Sequence, residues 1–566
     1  MKARKLLAIP LFAAVLVTGA CNVGKNAEEG PGEGPTQAAI TAQDINTQDR
    51  QALVEGGEIR LPVDDVLAQW NGLQTDGNES TMSELKAPMQ PTYFDYDAKG
   101  TPIWNPDFLA AEPTAEGDPL VVTYKLNPKA VWGDGTAINV KDFQATWNAC
   151  NGKDKDFNCA STEGFDQIAS IEQGADELEV KMTYKSTYPD WTGVFSSVYR
   201  ADSVKDANTF NKGWLENPDM DWFSGPFVIA DGGYNKGQGN VTMVPNPRWW
   251  GDKPLLEKIS YKHVTAEATA ASFVNGEIDA FDIGVDPDAF QRASAVADAQ
   301  IRKAAGPNWR HFTFNGTAGL LKDVKMRQVV VMGLNRTEIA NSDLAGLDWP
   351  ATPLNNHTFM ASQEGYVDTA AATGIDYNVD KAKSELDAMG WKVPEGAADG
   401  MRMKDGKKLT IKFSRITGVP VSENEATQAQ NQLKQIGIDL QIVDETTESW
   451  IESLSTGKFE IMAFSWIGTP YPFSGISQIY GTKSGSNFSK VSVPEVDALT
   501  KQIAVNMDPQ SRIDQANQAD KLIWENVFNL PLYQRPELVG TKANLANYGA
   551  FGLSSADWVN IGFTKA

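Results

Sequence analysis

Between Leu409 and Trp466 the chain reads strand, helix, strand, helix, strand, and that order leaves few sheets open to it. Leu409, Ile411 and Phe413 alternate in "LTIKFSR", as a half-buried strand does. "SENE", Ser422 to Glu425, has the spacing of a capping box and predicts a helix start. Ala426, Ala429, Leu433 and Ile436 then fall three or four apart on one face, and Gly437 ends the helix. Ile438, Leu440 and Ile442 mark the next strand, Trp450, Ile451 and Leu454 a second helix, and Phe459 to Trp466 a third strand. Strands joined through helices run parallel with right-handed crossovers. In such open sheets ligands sit beyond the carboxyl ends of the strands. Ile416 to Pro420 and residues 467–475 occupy those ends. The second loop, "IGTPYPFSG", is stiffened by Pro and Gly and flanked by Trp466, Tyr471 and Phe473. Pro and Gly alone would make a turn; the aromatic residues beside them favour the wall of a cleft.

A helix, a glycine stop and a short strand occur in the "ATAASFVNGEIDAFDIG" segment, Ala268 to Gly284, and again in Ser449 to Gly468. Gly276 and Gly457 are the expected left-handed helix stops. The copies lie too far apart for a solenoid and predict two lobes of related construction. Earlier segments, "VVTYKL", "EVKMTY" and "VTMVPN", alternate between turn signals and predict an antiparallel α+β subdomain. At 566 residues the chain exceeds one ordinary core.

The first residues, "MKARKLLAIPLFAAVLVTGAC", begin basic, run apolar from Leu6 to Val17 and end in small residues. This is a secretory signal, too short for a stable membrane span. Gly19 and Ala20 before Cys21 resemble a bacterial lipobox, which implies cleavage before Cys21 and lipid attachment to its thiol. The Gly-, Glu-, Pro- and Gln-rich stretch after it reads as a flexible tether. Cys150 and Cys159 sit in a short polar loop exposed to an oxidising compartment and read as a disulfide; a metal site would call for further Cys or His nearby.

A net charge of -23 lacks the basic footprint of a nucleic-acid binder. His263, His311 and His357 share no motif, and no H-E-x-x-H, G-x-S-x-G or Walker loop occurs. Among 73 Asp and Glu no local spacing singles out a glycosidase pair, so an extracytoplasmic hydrolase is the weaker alternative. Sixteen Trp, 14 Tyr and 24 Phe suit a site that grips varied ligands through flat apolar surfaces.

Taken in order, the segments resemble the family 5 solute-binding proteins of ABC importers, the oligopeptide, dipeptide and nickel binders. "VWGDGTAINVKDFQATW", "SGPFVIADGGYNKGQGNVTMVPNPRWWGDKP", "GEIDAFD", "FTFNGTAGLLKDVKMRQVVVMGLNRTEI", "YNVDKAKSELDAMGW" and "NLPLYQRPELV" carry the likeness. It covers nearly everything after the tether. The resemblance implies an α/β, two-lobed periplasmic-binding-protein-like fold (type II, cluster C) with an extra α+β subdomain in the first lobe. The expected segments are a signal peptide at 1–20, lipidated Cys21 and tether at 21–50, and a first lobe at 51–312 with its subdomain at about 76–215. The second lobe is expected at 313–530, and 531–566 completes the first. Arg327 and Arg336 are expected to cap and pair rather than touch ligand.

The implied function is a lipid-anchored, extracytoplasmic receptor on the outer face of the bacterial cytoplasmic membrane. It would capture peptides, oligopeptides foremost, in an interlobe cleft and deliver them to ABC permease subunits. Lobe closure would rest on the ligand's differential affinity for the closed state. No enzymatic chemistry, cofactor, metal or nucleic acid is implied, and a monomer is expected. Alternatives are a non-peptide solute (an oligosaccharide or metal chelate), a peptide-sensing signalling lipoprotein, or the hydrolase. Peptide-binding relatives carry a W-x-A/G-D motif whose aspartate pairs with the ligand ammonium. Here Trp466, Ile467 and Gly468 are followed by Thr469, so a free N-terminus lacks its acid; Asp221 and Asp348 are candidates to supply one. The expected ligand-facing residues are Trp466, Ile467, Gly468, Thr469 and Tyr471, with Trp222, Phe223, Ser224, Trp70 and Asn71 from the first lobe and Phe314 and Tyr533 at the crossovers.

Overall fold

The parallel run from 409 to 466 forms as its periodicity predicts. The computed structural model describes residues 41–565. Strand Thr410–Ile416 pairs parallel with Asp439–Glu445 and with Ile461–Ile467. Helices Pro420–Lys434 and Thr447–Thr456 make the crossovers. Ala426, Ala429, Leu433 and Ile436 are buried as one face, with Leu433 and Ile436 each contributing on the order of 1.5–3 kcal/mol of hydrophobic stabilisation and the alanines less. Gly457 ends the second helix at φ 71°, the left-handed stop its position predicts.

The expected capping box does not form. The helix begins three residues earlier, at Pro420 after Val419, because proline is preorganised for the first helical position. Ser422 therefore lies inside the helix, where its hydroxyl accepts the Ile416 N–H at 2.9 Å. Glu425 points instead to Arg310.

The chain divides into two compact units, Gln43–Lys303 with residues from Leu538 onward, and Ala304–Glu537. It passes between them inside two long strands, Ala299–Phe314 and Asn529–Lys542. The boundaries expected at 312/313 and 530/531 are displaced for that reason: a continuous strand shows no break in composition. In the second unit, Ile461–Ile467 also pairs antiparallel with the end of the first long strand, Asn308 opposite Ile467 and Phe314 opposite Ile461.

The first unit holds two four-stranded, antiparallel-rich sheets, besides smaller ones. One has Val121–Leu126 against Leu109–Glu116 and Glu179–Tyr184, with Ile168–Gln173 outermost, inside the stretch expected as an α+β subdomain. Helix Val140–Cys150 is opened by a capping box between Asn139 and Asp142. The disulfide Cys150–Cys159 comes directly after it, with a Cα–Cα distance of 5.7 Å. The other sheet places Glu58–Val63 parallel to Lys258–His263, which continues antiparallel through Asn240–Pro245 to Phe227–Asn235. The helix–glycine–strand module recurs once in each unit, at Ala266–Val274 with Ala280–Asp282 and at Thr447–Thr456 with Ile461–Ile467.

The signal segment, Cys21 and the tether as far as residue 40 lie outside the described residues. Residues 43–50, expected in the tether, are part of the first unit. Asp44 and Ala550 exchange backbone hydrogen bonds at 2.8 and 2.9 Å, and Arg50 binds the Val559 carbonyl and the Asn560 side chain. Their polar composition hides this because the partners lie at the far end of the chain. No described helix is long and apolar enough to cross a membrane.

Candidate ligand-binding site

The strand Ile461–Ile467 ends at the edge of the second unit's sheet, and its last residues and the turn beyond them are held from several sides. Trp466 lies parallel to His311 (centroids 6.1 Å, 3°) and to Phe488 (5.8 Å, 11°), with Phe464 edge-on at 5.3 Å. Burial first, then the Arg310 charge, depresses the His311 imidazole well below its usual range, so it is a neutral ring in this stack. The Trp466 indole N–H has no hydrogen-bond partner among the described residues. Beside it opens a small recess lined by Thr313, Tyr480, Phe488, Phe528 and Asn529, whose side-chain carbonyl is also unpartnered among the described residues.

Gly468 donates its N–H to the Pro307 carbonyl at 2.7 Å. A Cβ there would stand 2.9 Å from Met360 Cε and 3.0 Å from the Pro307 oxygen, so the close approach favours glycine. The Thr469 hydroxyl accepts from the Tyr471 N–H at 3.1 Å and its carbonyl accepts from Gln363 Nε2 at 3.0 Å. Tyr471 then leads into helix Pro472–Tyr480, with proline at its first position. Ile467 and Thr469 are left exposed on a fixed turn, which suits contact with something outside the unit.

A second, shallow recess is lined by Trp349, Pro350, Pro353, Leu354, Ala361 and Gln534. Gln534 is fixed from both ends: Nε2 donates to the Gly306 carbonyl at 2.8 Å and Oε1 accepts from Ala361 N–H at 3.0 Å.

A polar cluster joins Arg310 of the first long strand and Tyr533 of the second to Asp343, Asn424 and Glu425 on two helices. Arg310 makes two hydrogen bonds to Glu425, at 2.7 and 2.5 Å, with both side chains buried. Burial works against the Arg310 charge, but Glu425 more than offsets it and the guanidinium's affinity for its proton is raised. Tyr533 donates to Asp343 Oδ2 at 3.1 Å, and Asn424 donates to Asp343 Oδ1 at 2.6 Å. Burial, then the neighbouring Glu425 charge, pushes the Asp343 carboxyl up to about 8. Arg535 stands in the same field of charges, partly buried.

The remaining expected residues are placed differently. Phe314 and Tyr533 are buried, the first in the sheet core and the second on Asp343. In the first unit Trp70, Asn71, Phe223 and Ser224 are fully buried. Trp70 meets Tyr234 edge-on at 5.5 Å. Asn71 spends its polar atoms locally: Nδ2 donates to the Phe210 carbonyl and Oδ1 accepts from Leu73 N–H. Phe223 packs on Trp214 at 5.7 Å, and the Ser224 N–H is taken by the Met89 carbonyl. These side chains present no open surface within their unit; Trp222, half-buried against Trp214 at 4.8 Å, presents some. Arg327 and Arg336 bind backbone carbonyls, Arg327 those of Leu321, Asn526 and Val527 and Arg336 those of Leu354 and Pro531.

Arg310, Asp343, Glu425, Gln363 and Arg535 are not among the residues expected at the site. Only the arginine of "LYQRP", next to a crossover, carries a local signal; the others are joined by distant pairings. Among the described residues no group of three His, Cys, Asp or Glu is arranged to hold a metal.

Two α/β units joined through paired strands define the two-lobed fold of the periplasmic binding proteins. A solved structure of the periplasmic EDTA-binding protein EppA matches with a TM-score of 0.82 at 23% identity, covering 94% of this chain and all of that one (100%). The oligopeptide-binding protein AppA from Bacillus subtilis, solved with a nonapeptide, matches at TM-score 0.70 and 20% identity over 91% of this chain and 100% of that one. In sequence the chain is 34% identical over 564 residues to the oligopeptide-binding protein OppA of Mycobacterium tuberculosis (strain H37Rv), covering 99% of this chain and 93% of that protein. The profile of the bacterial extracellular solute-binding proteins, family 5 Middle, matches residues 104–488. The chain belongs to the bacterial extracellular solute-binding proteins of family 5.

Proposed function

We propose that this chain is the substrate-binding protein of an ABC importer, taking up oligopeptides outside the cytoplasm and passing them to permease subunits. The observation that carries the reading is the likeness to an oligopeptide-binding protein along 99% of the chain. The exposed, rigid turn at Ile467 and Thr469, backed by the Trp466 stack, supports the second unit's share of the site. Tyr471 and Trp222 belong to the proposal as partly open aromatic surfaces; Gly468 shapes the turn. Phe223, Ser224, Trp70, Asn71, Phe314 and Tyr533 enter it as supports rather than contacts. A lipid anchor on Cys21, attachment to the outer face of the cytoplasmic membrane, a monomeric state and ligand-driven closure complete the proposal. Its role is binding, with no reaction catalysed.

Thr469 stands where peptide-binding relatives are expected to place an acid, which favours ligands that do not depend on a free ammonium. A non-peptide solute is the second reading, supported by that residue and by the structural likeness to an EDTA-binding protein. Native mass spectrometry of protein purified without unfolding separates them: a ladder of peptide masses supports the first, and one discrete non-peptide mass overturns it. Thr469→Asp keeps an acceptor for the Tyr471 N–H and adds the missing charge. It should tighten free-amine peptides over N-acetylated ones roughly three- to fivefold, a solvent-screened pair. Calorimetry showing no gain would refute the role assigned to Thr469.

A further inference from the structure

We propose that Arg535 is a receptor for a carboxylate of the bound ligand, in a subsite built wholly within the second unit. Three adjacent strands place it. Ile461–Ile467 lies beside the first long strand, with Asn308 opposite Ile467. The Gly468 N–H is taken by the Pro307 carbonyl. A Cβ on the preceding Gly306 would stand 3.0 Å from the Arg535 carbonyl oxygen. Arg535 and the exposed turn at Thr469 therefore share one end of the sheet.

Among the described residues no carboxylate lies within ion-pair distance of this cation, although Glu425 and Asp343 act on it from farther away. Arg310 is committed to Glu425 through two hydrogen bonds. Asp343 accepts from Tyr533 and Asn424, and burial beside Glu425 pushes its carboxyl up to about 8, which disfavours its charge. The Arg535 side chain makes no hydrogen bond or ion pair among the described residues, although Arg60, Arg402 and Arg415 are each paired with an aspartate. Burial disfavours its charge without removing it, since a guanidinium stays protonated in proteins. A partly buried, unpaired guanidinium is a fork of donors matched to a carboxylate. In a chain with 73 acidic and 50 basic residues, such a cation is poorly explained by general surface charge.

The subsite rests on the peptide reading for the source of the carboxylate, which is either a C-terminus or an acidic side chain. The test titrates wild type, Arg535→Gln and Arg535→Lys by native mass spectrometry with three random nonapeptide pools. One has free C-terminal acids and no Asp or Glu; one is amidated and contains Asp and Glu; one is amidated and contains neither. The wild type is expected to bind a carboxylate-bearing pool roughly ten- to hundredfold better than the carboxylate-free pool, the worth of charge-assisted hydrogen bonds. The preferred pool names the source. Arg535→Gln should bind all three alike, with Arg535→Lys intermediate. Equal wild-type binding of every pool, or an undiminished preference in Arg535→Gln, overturns the subsite. Should no pool bind, the peptide reading fails separately. Citrate then decides the subsite, expected to raise the melting temperature of wild type but not of Arg535→Gln; equal shifts, or none in either, overturn it.

Discussion

Asp343 offers a direct test of the polar cluster, through Asp343→Asn. The native carboxyl keeps its proton up to about 8, against 3.8 for the ordinary group, because it is buried beside Glu425. Between those values the native state holds one proton more than the unfolded chain. Stability therefore falls as pH rises through the window, and the cost is complete above about 8. At about 1.36 kcal/mol per pH unit, a window of this width corresponds to roughly 5–6 kcal/mol if fully retained. Asp343 is only half-buried, and a solvent-facing side lowers the effective interaction, so about 2–3 kcal/mol is expected. Asparagine has nearly the shape of the protonated acid and cannot ionise. The variant should match wild type near pH 4 and exceed it by about 2–3 kcal/mol near pH 9. Urea unfolding of both proteins across pH 4–9 reads the difference. A constant difference, or one that favours wild type as pH rises, would refute the burial and charge coupling assigned to this carboxyl.

Two further perturbations probe other parts of the structure. Glu425→Ala leaves Arg310 buried without its partner and should destabilise the second unit by about 3–5 kcal/mol, read by chemical unfolding; a loss below about 1 kcal/mol would refute the pairing. Replacing Cys150 and Cys159 by serine opens a loop of sequence separation 9 and should cost the first unit roughly 2.5 kcal/mol by chain entropy, read as a lower melting temperature that reducing agent no longer changes.

The parallel run from 409 to 466 is legible because its signals are local. Alternation at Leu409, Ile411 and Phe413, a helical face at Ala426, Ala429 and Leu433, and the stop at Gly457 are each settled by neighbours a few positions away. Crossover handedness is then a consequence of connectivity. The same locality misleads at Ser422 and Glu425, where a capping spacing is outcompeted by Pro420 and by a buried arginine from another strand. It also hides residues 43–50, whose partners lie near the other end of the chain.

By itself the sequence determined the kind of elements, the parallel run and the position of the turn at Gly468 and Thr469. Tertiary structure alone decided which side chains that turn could use. Trp70, Phe223 and Phe314 are as apolar in sequence as Trp466, but the first three are fully buried. Only packing determines how much of such a ring remains to meet a ligand. Likewise "LYQRP" does not disclose that Gln534 is spent on Gly306 and Ala361 whereas Arg535 has no counter-ion among the described residues. Adjacent residues of a strand face opposite sides, and the groups waiting on each side come from distant parts of the chain.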